Sequence, residues 1–172
     1  GHLLELGWAI DDAKHRHLRK KPPVTTFLVQ LPEKTDIPRG IERLTGIANA
    51  DMHAASNAAN VWQALWQDMQ PLVTSHAKRV CPSVVHYARC ETPFIQELHA
   101  RHADQDPFPF EFICSYTLLK KLCPQLPCHS LRAVAGYFGH SIPEYRRARE
   151  HVLGTLHIWR QAIRLLEKET GI

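Results

Sequence analysis

The 172-residue sequence lacks the long apolar segment of a membrane protein. A membrane-spanning helix needs about 20 consecutive, mostly apolar residues, and no stretch approaches that length. The start of the sequence, from Gly1 to Glu5, also lacks the basic region and the following apolar run of a secretory signal. These two absences predict a soluble, cytoplasmic protein with no membrane partner.

The sequence contains little cysteine, and the cysteine pattern is not that of a disulfide framework. The cysteines are odd in number and irregularly spaced: Cys81, Cys90, Cys114, Cys123 and Cys128. Because nothing indicates secretion, we expect buried, reduced thiols. Residues 123–129 contain two cysteines and a histidine, which could suggest a metal site. Their two prolines and the four-residue gap between the cysteines match no standard zinc spacing.

Internal repeats and low-complexity tracts are also absent. The composition, 44% hydrophobic and 22% charged, suits one globular domain over residues 1–172. The formal net charge of +4 mildly favours anionic partners. The alternative is an ordinary soluble domain, because net charge alone places no basic patch on the surface.

Hydrophobic periodicity predicts strands mixed with helices. Strands are expected at residues 3–10, 24–31, 83–87 and 110–114, with an exposed basic turn at 14–21 and a loop at 104–109. Helices are expected from Asp36 to Gly46 and at residues 57–69, 90–101, 115–122, 130–138 and 143–168. Trp62 and Trp66 lie on the apolar stripe of the second helix, so we expect both in the core. An opening hairpin followed by mixed elements predicts an α/β sheet covered on both faces.

Three segments, in order, carry a family pattern. The first joins residues 3–9, Leu-Leu-Glu-Leu-Gly-Trp-Ala, to Pro38 and to residues 44–47, Leu-Thr-Gly-Ile. The second is residues 84–95, and the third is residues 146–155, which follow a Leu-x-x-Val-Ala-x-x-Phe-Gly helix at 131–139. Together they resemble the DEDD superfamily of 3′-5′ exonucleases, in its histidine (DEDDh) subgroup typified by the proofreading epsilon subunit of bacterial DNA polymerase III.

The resemblance implies a ribonuclease H-like exonuclease fold. Its mixed central sheet has antiparallel opening strands, then parallel ones, and is flanked by helices. Thr45, Gly46 and Ile47 match the part of the family that lies beside the nucleotide, so they are candidate nucleic-acid contacts. In the family a strand bearing Asp-x-Glu lies about a dozen residues before the position of Leu3. We expect that the domain lacks this strand because the sequence lacks its natural start; the alternative is that another segment fills its place.

The second segment resembles the family motif in which His-Asn-Ala precedes a metal-binding aspartate. His86 and Tyr87 then stand at nucleic-acid-binding positions, and Glu91 stands for the aspartate. A glutamate still offers oxygen to a hard divalent cation. The alternative for Glu91 is an acid favoured by the dipole at a helix start.

The third segment resembles the family pattern His-x-Ala-x-x-Asp with a following threonine. Aligning Ala148 and Thr155 puts Arg146 at the general-base histidine and His151 at the last metal-binding aspartate. Arginine stays protonated at physiological pH and cannot accept a proton from water, although it can hold phosphate. Histidine removes a negative charge and offers nitrogen, which suits Mg²⁺ poorly and Mn²⁺ better. The alternative for Arg146 is a solvent-facing residue of a basic helix.

The family reaction is hydrolysis of the terminal phosphodiester at a DNA or RNA 3′ end with two divalent ions. The resemblance implies Mg²⁺ or Mn²⁺ as cofactor if the chain is active, and no bound metal if it is not. Loss of a general base alone typically costs roughly a hundred- to ten-thousand-fold in rate.

We therefore expect an exonuclease-type domain that is weak or inactive, with a 3′ end and a polymerase or fused nuclease as partners. The alternative is a catalytically silent module that binds nucleic acid or protein through the same fold. A metalloenzyme built on the many histidines has little support, because their positions follow no ligand spacing.

Overall fold

The computed structural model describes residues 1–11, 21–75, 79–103 and 106–171. Its first two strands are β1 (Glu5–Trp8) and β2 (Thr25–Leu28). They pair antiparallel, with Glu5 opposite Leu28 and Trp8 opposite Thr25. The opening hairpin is therefore confirmed, although both strands are shorter than predicted. Most of the predicted basic turn and part of the predicted loop at 104–109 lie outside the described residues.

The other two strands, β3 (Cys81–Val85) and β4 (Phe110–Cys114), pair parallel. The antiparallel and parallel pairs flanked by helices confirm the predicted fold class. β4 matches its prediction, whereas β3 begins and ends two residues before the predicted strand at 83–87. Pro82 lies inside β3 and is exposed, which a strand tolerates when the missing N–H falls outside the ladder. His86 and Tyr87 consequently lie beyond the strand rather than on it.

Six α-helices and one 3₁₀ helix, Asn49–Ala54, cover the strands in the described part of the chain. The α-helices are α1 (Arg39–Thr45), α2 (Ala58–Ser75), α3 (Ala88–His102), α4 (Ser115–Leu122), α5 (Leu131–Tyr137) and α6 (Ala148–Thr170). α1 ends at Gly46, whose φ of 67° is in the left-handed region, as its predicted role as helix stop requires. Ser130 caps α5 by accepting the Ala133 N–H.

Two helix predictions were wrong at one end. α2 continues past Met69 through Pro71 to Ser75, because the apolar stripe extends to the buried Val73. α6 begins at Ala148 and not at Pro143. Arg147 has extended backbone angles, and the Arg146 N–H donates to the Leu44 carbonyl of α1. Arg146 therefore precedes the helix on which the sequence placed it.

The core has two parts. One lies between α2, α3 and the parallel strands, where Trp62 is 5% exposed and Trp66 packs against the same cluster, as predicted. The other lies between α4, α5 and α6 and is centred on Leu119, Val134 and Ile158. Within the described ranges, no helix combines the length and apolar character that crossing a membrane requires.

All five cysteines are described, and none forms a disulfide. Cys81 and Cys123 are buried as predicted, whereas Cys90 and Cys128 are exposed, so the expectation of buried thiols was wrong for these two. The Cys123 carbonyl lies 3.0 Å from the Nε2 atom of His129, so the 123–129 segment is organised by hydrogen bonding.

We predict that Gly154→Val destabilises the fold by about 2 kcal/mol, because α6 packs closely at this position. A Cβ at Gly154 would lie 2.6 Å from the Cδ1 atom of Ile142, which is buried. The matched control is Gly136→Val on α5, where a Cβ would have no atom within 4 Å. That control should change the free energy of unfolding, measured in urea, by less than about 0.5 kcal/mol. Equal effects of the two substitutions would contradict close packing at Gly154.

Candidate functional site

A buried carboxylate on β1 fixes the start of α6. The Glu5 side chain is 9% exposed. Its Oε2 atom accepts the Ala148 N–H at 2.7 Å, and Oε1 lies 2.9 Å from the Nη2 atom of Arg147. The Nε atom of Arg147 also donates to Oε2 at 3.1 Å. This Glu5 clamp satisfies a free amide at the helix start and neutralises the buried charge.

The clamp favours the charged form of Arg147. Hydrogen bonding to Glu5 raises the pKa of Arg147 above its ordinary value. A carboxylate at the amino end of a helix is further stabilised by the helix dipole. Glu5 is therefore committed to Arg147 and to α6, and its oxygens are shared with those groups.

Arg146 lies where the first and third sequence segments meet. Its backbone N–H donates to the Leu44 carbonyl at 2.8 Å, which ties the start of α6 to the end of α1. The neighbouring Tyr145 ring covers Gly46, because a Cβ at Gly46 would be 3.3 Å from the Cδ1 atom of Tyr145. The Arg146 side chain is exposed, so its guanidinium is open to an anionic ligand.

The three residues after Leu44 differ in what they present. The Thr45 hydroxyl donates to the Ile41 carbonyl at 2.8 Å, and its oxygen accepts a hydrogen bond from the Ile47 N–H at 3.2 Å. Ile47 is 1% exposed and belongs to the core, while Gly46 is exposed. At this turn, the backbone and Gly46 are the groups that remain for a ligand. The predicted nucleic-acid contact of Thr45, Gly46 and Ile47 stays a prediction.

His151 lies one turn into α6, and its N–H donates to the Arg147 carbonyl at 3.1 Å. Burial and the positive charge of Arg146 lower the pKa of His151, while the Glu5 carboxylate acts in the opposite direction. The half-buried imidazole is therefore mainly neutral at pH 7. The predicted role of His151 at a metal-ligand position stays a prediction.

His86 is buried at the carboxyl end of β3, with both ring nitrogens hydrogen-bonded. Nε2 lies 3.0 Å from the His129 carbonyl, and Nδ1 lies 3.0 Å from the Ser115 hydroxyl. Because a carbonyl only accepts, Nε2 carries the proton and Nδ1 is left as an acceptor. The single proton of the Ser115 hydroxyl is shared between Nδ1 and the Val85 carbonyl, which both lie 3.0 Å from the Ser115 oxygen. Burial is the main reason that the pKa of His86 falls to about 4. These partners occupy the imidazole that was predicted to contact nucleic acid, and that role stays a prediction.

Tyr87 and Glu91 follow His86 on the chain. Tyr87 is the N-terminal cap residue of α3, and its φ of 64° is in the left-handed region. Glu91 lies in the first turn of α3, as its helix-dipole alternative requires, and its side chain is exposed. Neighbouring protein atoms nevertheless desolvate the carboxylate enough to raise the pKa of Glu91.

The described residues do not fit a two-metal centre. No group of three or more histidine, cysteine, aspartate or glutamate side chains comes close enough in this part of the chain to hold a metal ion. Glu5, the most buried carboxylate of the site, is bonded to Arg147. A hard cation would have to displace that arginine, and the neutral His151 offers it no charge in return.

Two residues of this region were missed in the sequence. Glu5 was given no role of its own within the first family segment, although a buried acid requires a partner. Tyr116 was overlooked as well, although it follows β4 as Tyr87 follows β3. Carboxyl ends of parallel strands meet at one edge of a sheet, so the two positions could have been paired.

No protein-family model and no curated protein matches this chain. Among solved structures, the chain is similar to the nuclease domain of 3′hExo, a DEDDh family member, bound to rAMP. The TM-score is 0.70 over 97% of this chain and 82% of that chain, at 16% sequence identity. The fold is that of a DEDDh exonuclease domain. At such low identity the similarity establishes the fold alone, and the function has to be argued from the side chains.

We predict that Glu5→Ala lowers the free energy of unfolding by about 2 kcal/mol, because the Ala148 N–H and Arg147 lose their partner. Glu97→Ala is the matched control, since Glu97 pairs with Arg101 within α3 and both side chains are largely exposed. That variant should cost less than about 0.5 kcal/mol. Urea unfolding of both variants tests this, and an equally small effect would show that the clamp adds nothing.

We also predict that stability falls by about 2 kcal/mol between about pH 7 and pH 4.5 through His86 alone. Its pKa is lowered on folding to about 4, so the unfolded chain binds the proton first as the pH falls. His86→Gln should reduce this loss, whereas His53→Gln, at an exposed histidine, should not. Urea unfolding at the two pH values checks the prediction, and identical pH dependence in wild type and His86→Gln would contradict it.

Proposed function

We propose that this chain is a 3′-5′ exonuclease-type domain, similar to the proofreading epsilon subunit, that binds nucleic acid 3′ ends and hydrolyses them weakly or not at all. The observation that carries the proposal is the start of α6. There, Arg146 is exposed, His151 is neutral and Arg147 holds Glu5. We align Arg146 and His151 with the family's base and last carboxylate.

The side chains at this point favour binding over hydrolysis. Attack of water on a phosphodiester needs a group that accepts a proton, and a guanidinium cannot do so. It also needs charge that offsets the developing negative charge on phosphate, which carboxylate-held metal ions usually supply. The Glu5 clamp and the neutral His151 leave the described residues poorly suited to hold those ions.

The same side chains suit a phosphate group. Arg146 is exposed and oriented by a braced backbone, because the guanidinium of Arg132 donates to the Pro143 and Glu144 carbonyls just before it. The Arg146 amide is fixed in turn by Leu44. The backbone at Arg146 is therefore fixed, and its exposed guanidinium can form charge-assisted hydrogen bonds to phosphate oxygens.

The neighbouring structure supports a nucleotide as the ligand. The 3′hExo nuclease domain is bound to rAMP, a nucleoside monophosphate that carries one base and one phosphate. In this chain a terminal nucleotide of DNA or RNA is the corresponding ligand. A polymerase or a fused nuclease is the partner that the resemblance to the epsilon subunit suggests.

We predict that Arg146→Ala weakens binding of a fluorescein-labelled single-stranded oligonucleotide by about fivefold to tenfold. The logarithmic salt dependence of its dissociation constant should also fall by about one phosphate contact. Fluorescence anisotropy at several salt concentrations measures both quantities. The control is Arg164→Ala, an exposed arginine on α6 that lies 16 residues, or about 24 Å, beyond the first residue of that helix, Ala148.

The control variant should bind as the wild type does. If both variants lose the same small amount of affinity, positive charge in general attracts the strand, and the start of α6 is not its site. If the wild type binds no single strand at all, the proposed function is wrong.

A further inference from the structure

We propose that Tyr87 and Tyr116, with Lys120, form a stacking platform for an unpaired base of single-stranded nucleic acid. We call these three residues the tyrosine platform. The proposal rests on the proposed function and deepens it, because it adds a site that contacts bases to one that contacts phosphate.

The platform lies at the carboxyl edge of the parallel strands. β3 and β4 end opposite each other, at Val85 and Cys114, and each tyrosine follows two residues later. The tyrosine rings stack with centroids 4.1 Å apart and an interplanar angle of 25°. Both side chains are half-buried, so the stack is open to solvent at the edge where α/β proteins bind ligands.

The backbone of Tyr87 is strained in the conformation that builds this stack. A φ of 64° is unfavourable for a bulky residue, and glycine or asparagine would adopt it at lower cost. Such strain persists where the surrounding structure enforces it and is concentrated at functional sites. Here the strained backbone of Tyr87 holds the aromatic ring in a position that an unstrained backbone would not give it.

A buried network beneath the rings makes the platform rigid. The His86 ring meets Tyr87 edge-on at 5.2 Å and Tyr116 edge-on at 5.9 Å. Its hydrogen bond to Ser115, which is fully buried, joins the ends of the two strands. Partial desolvation, followed by the influence of the neighbouring Tyr116 hydroxyl, raises the pKa of Tyr87. Stacking on a preformed surface loses little entropy.

Positive charge beside the rings favours a nucleic acid as the ligand. The Lys120 ammonium lies over the Tyr116 ring, 5.6 Å from its centroid. Arg89 is exposed at the second residue of α3, close enough that its charge acts on Tyr87. Aromatic faces flanked by cations are the usual composition of single-strand binding sites, in which bases stack and phosphates pair with the charges.

The platform differs from the other aromatic contacts of the chain. Trp62 and Phe110, for example, meet edge-on inside the core, where both are buried. The tyrosine pair instead combines solvent access, strained backbone and neighbouring lysine. Core packing explains the first kind of contact but not the second.

The test compares two strands of about 12 nucleotides, one of thymidines and one of abasic tetrahydrofuran residues with the same phosphates. Fluorescence anisotropy with the whole chain should show that the wild type binds the thymidine strand at least about fivefold more tightly. Tyr87→Leu and Tyr116→Leu should lose most of that preference while keeping their affinity for the abasic strand. Tyr87→Phe keeps the ring and should behave as the wild type does.

Tyr137→Leu is the matched control, because Tyr137 is 56% exposed and lies outside the platform. Equal wild-type affinity for the two strands would overturn the platform and leave the proposed function intact. A preference for thymidine that survives in both leucine variants would overturn it as well. Failure to bind either strand would reject the platform and the proposed function together. The wild-type comparison needs no variant, so a leucine variant that misfolds does not prevent a decision.

Discussion

The hydrogen-bonded ion pair between Glu5 and Arg147 joins residues 142 positions apart and determines where the last helix begins. The Glu5 carboxylate on β1 accepts hydrogen bonds from the Arg147 guanidinium and from the Ala148 N–H, the first amide of α6. Because the helix starts there, Arg146 remains outside it, beside Leu44, and His151 falls one turn inside. The positions of the first and third sequence segments relative to each other therefore depend on this contact.

The same contact separates binding from hydrolysis in our account. A carboxylate that neutralises an arginine has little charge left for a cation, and removing Arg147 would leave the buried Glu5 carboxylate without its counter-charge. The burial that makes the clamp strong also keeps His151 neutral. Arg146 and the tyrosine platform remain open to solvent, and both suit a nucleic acid better than a metal ion.

Local signals made much of the fold predictable. The apolar run at residues 110–114 and the amphipathic segment after it match β4 and α4, because their boundaries are set by neighbouring residues in the chain. Pro38 and Gly46 likewise bracket α1. The start of α6 was not predictable in this way, because residues 143–147 are held by Leu44 and Glu5 and not by their own helical preference. For the same reason the sequence pattern singled out Arg146 and His151, but it did not show that Glu5 pairs with Arg147 or that Tyr116 stacks on Tyr87.

A single-turnover assay distinguishes binding of a 3′ end from its hydrolysis. A 5′-labelled strand with a free 3′ end is incubated with excess protein and Mg²⁺, its binding is verified by anisotropy, and its length is followed on a sequencing gel. We expect the bound strand to keep its length. Magnesium-dependent shortening from the 3′ end that Glu91→Ala abolishes would show instead that the site is an efficient nuclease.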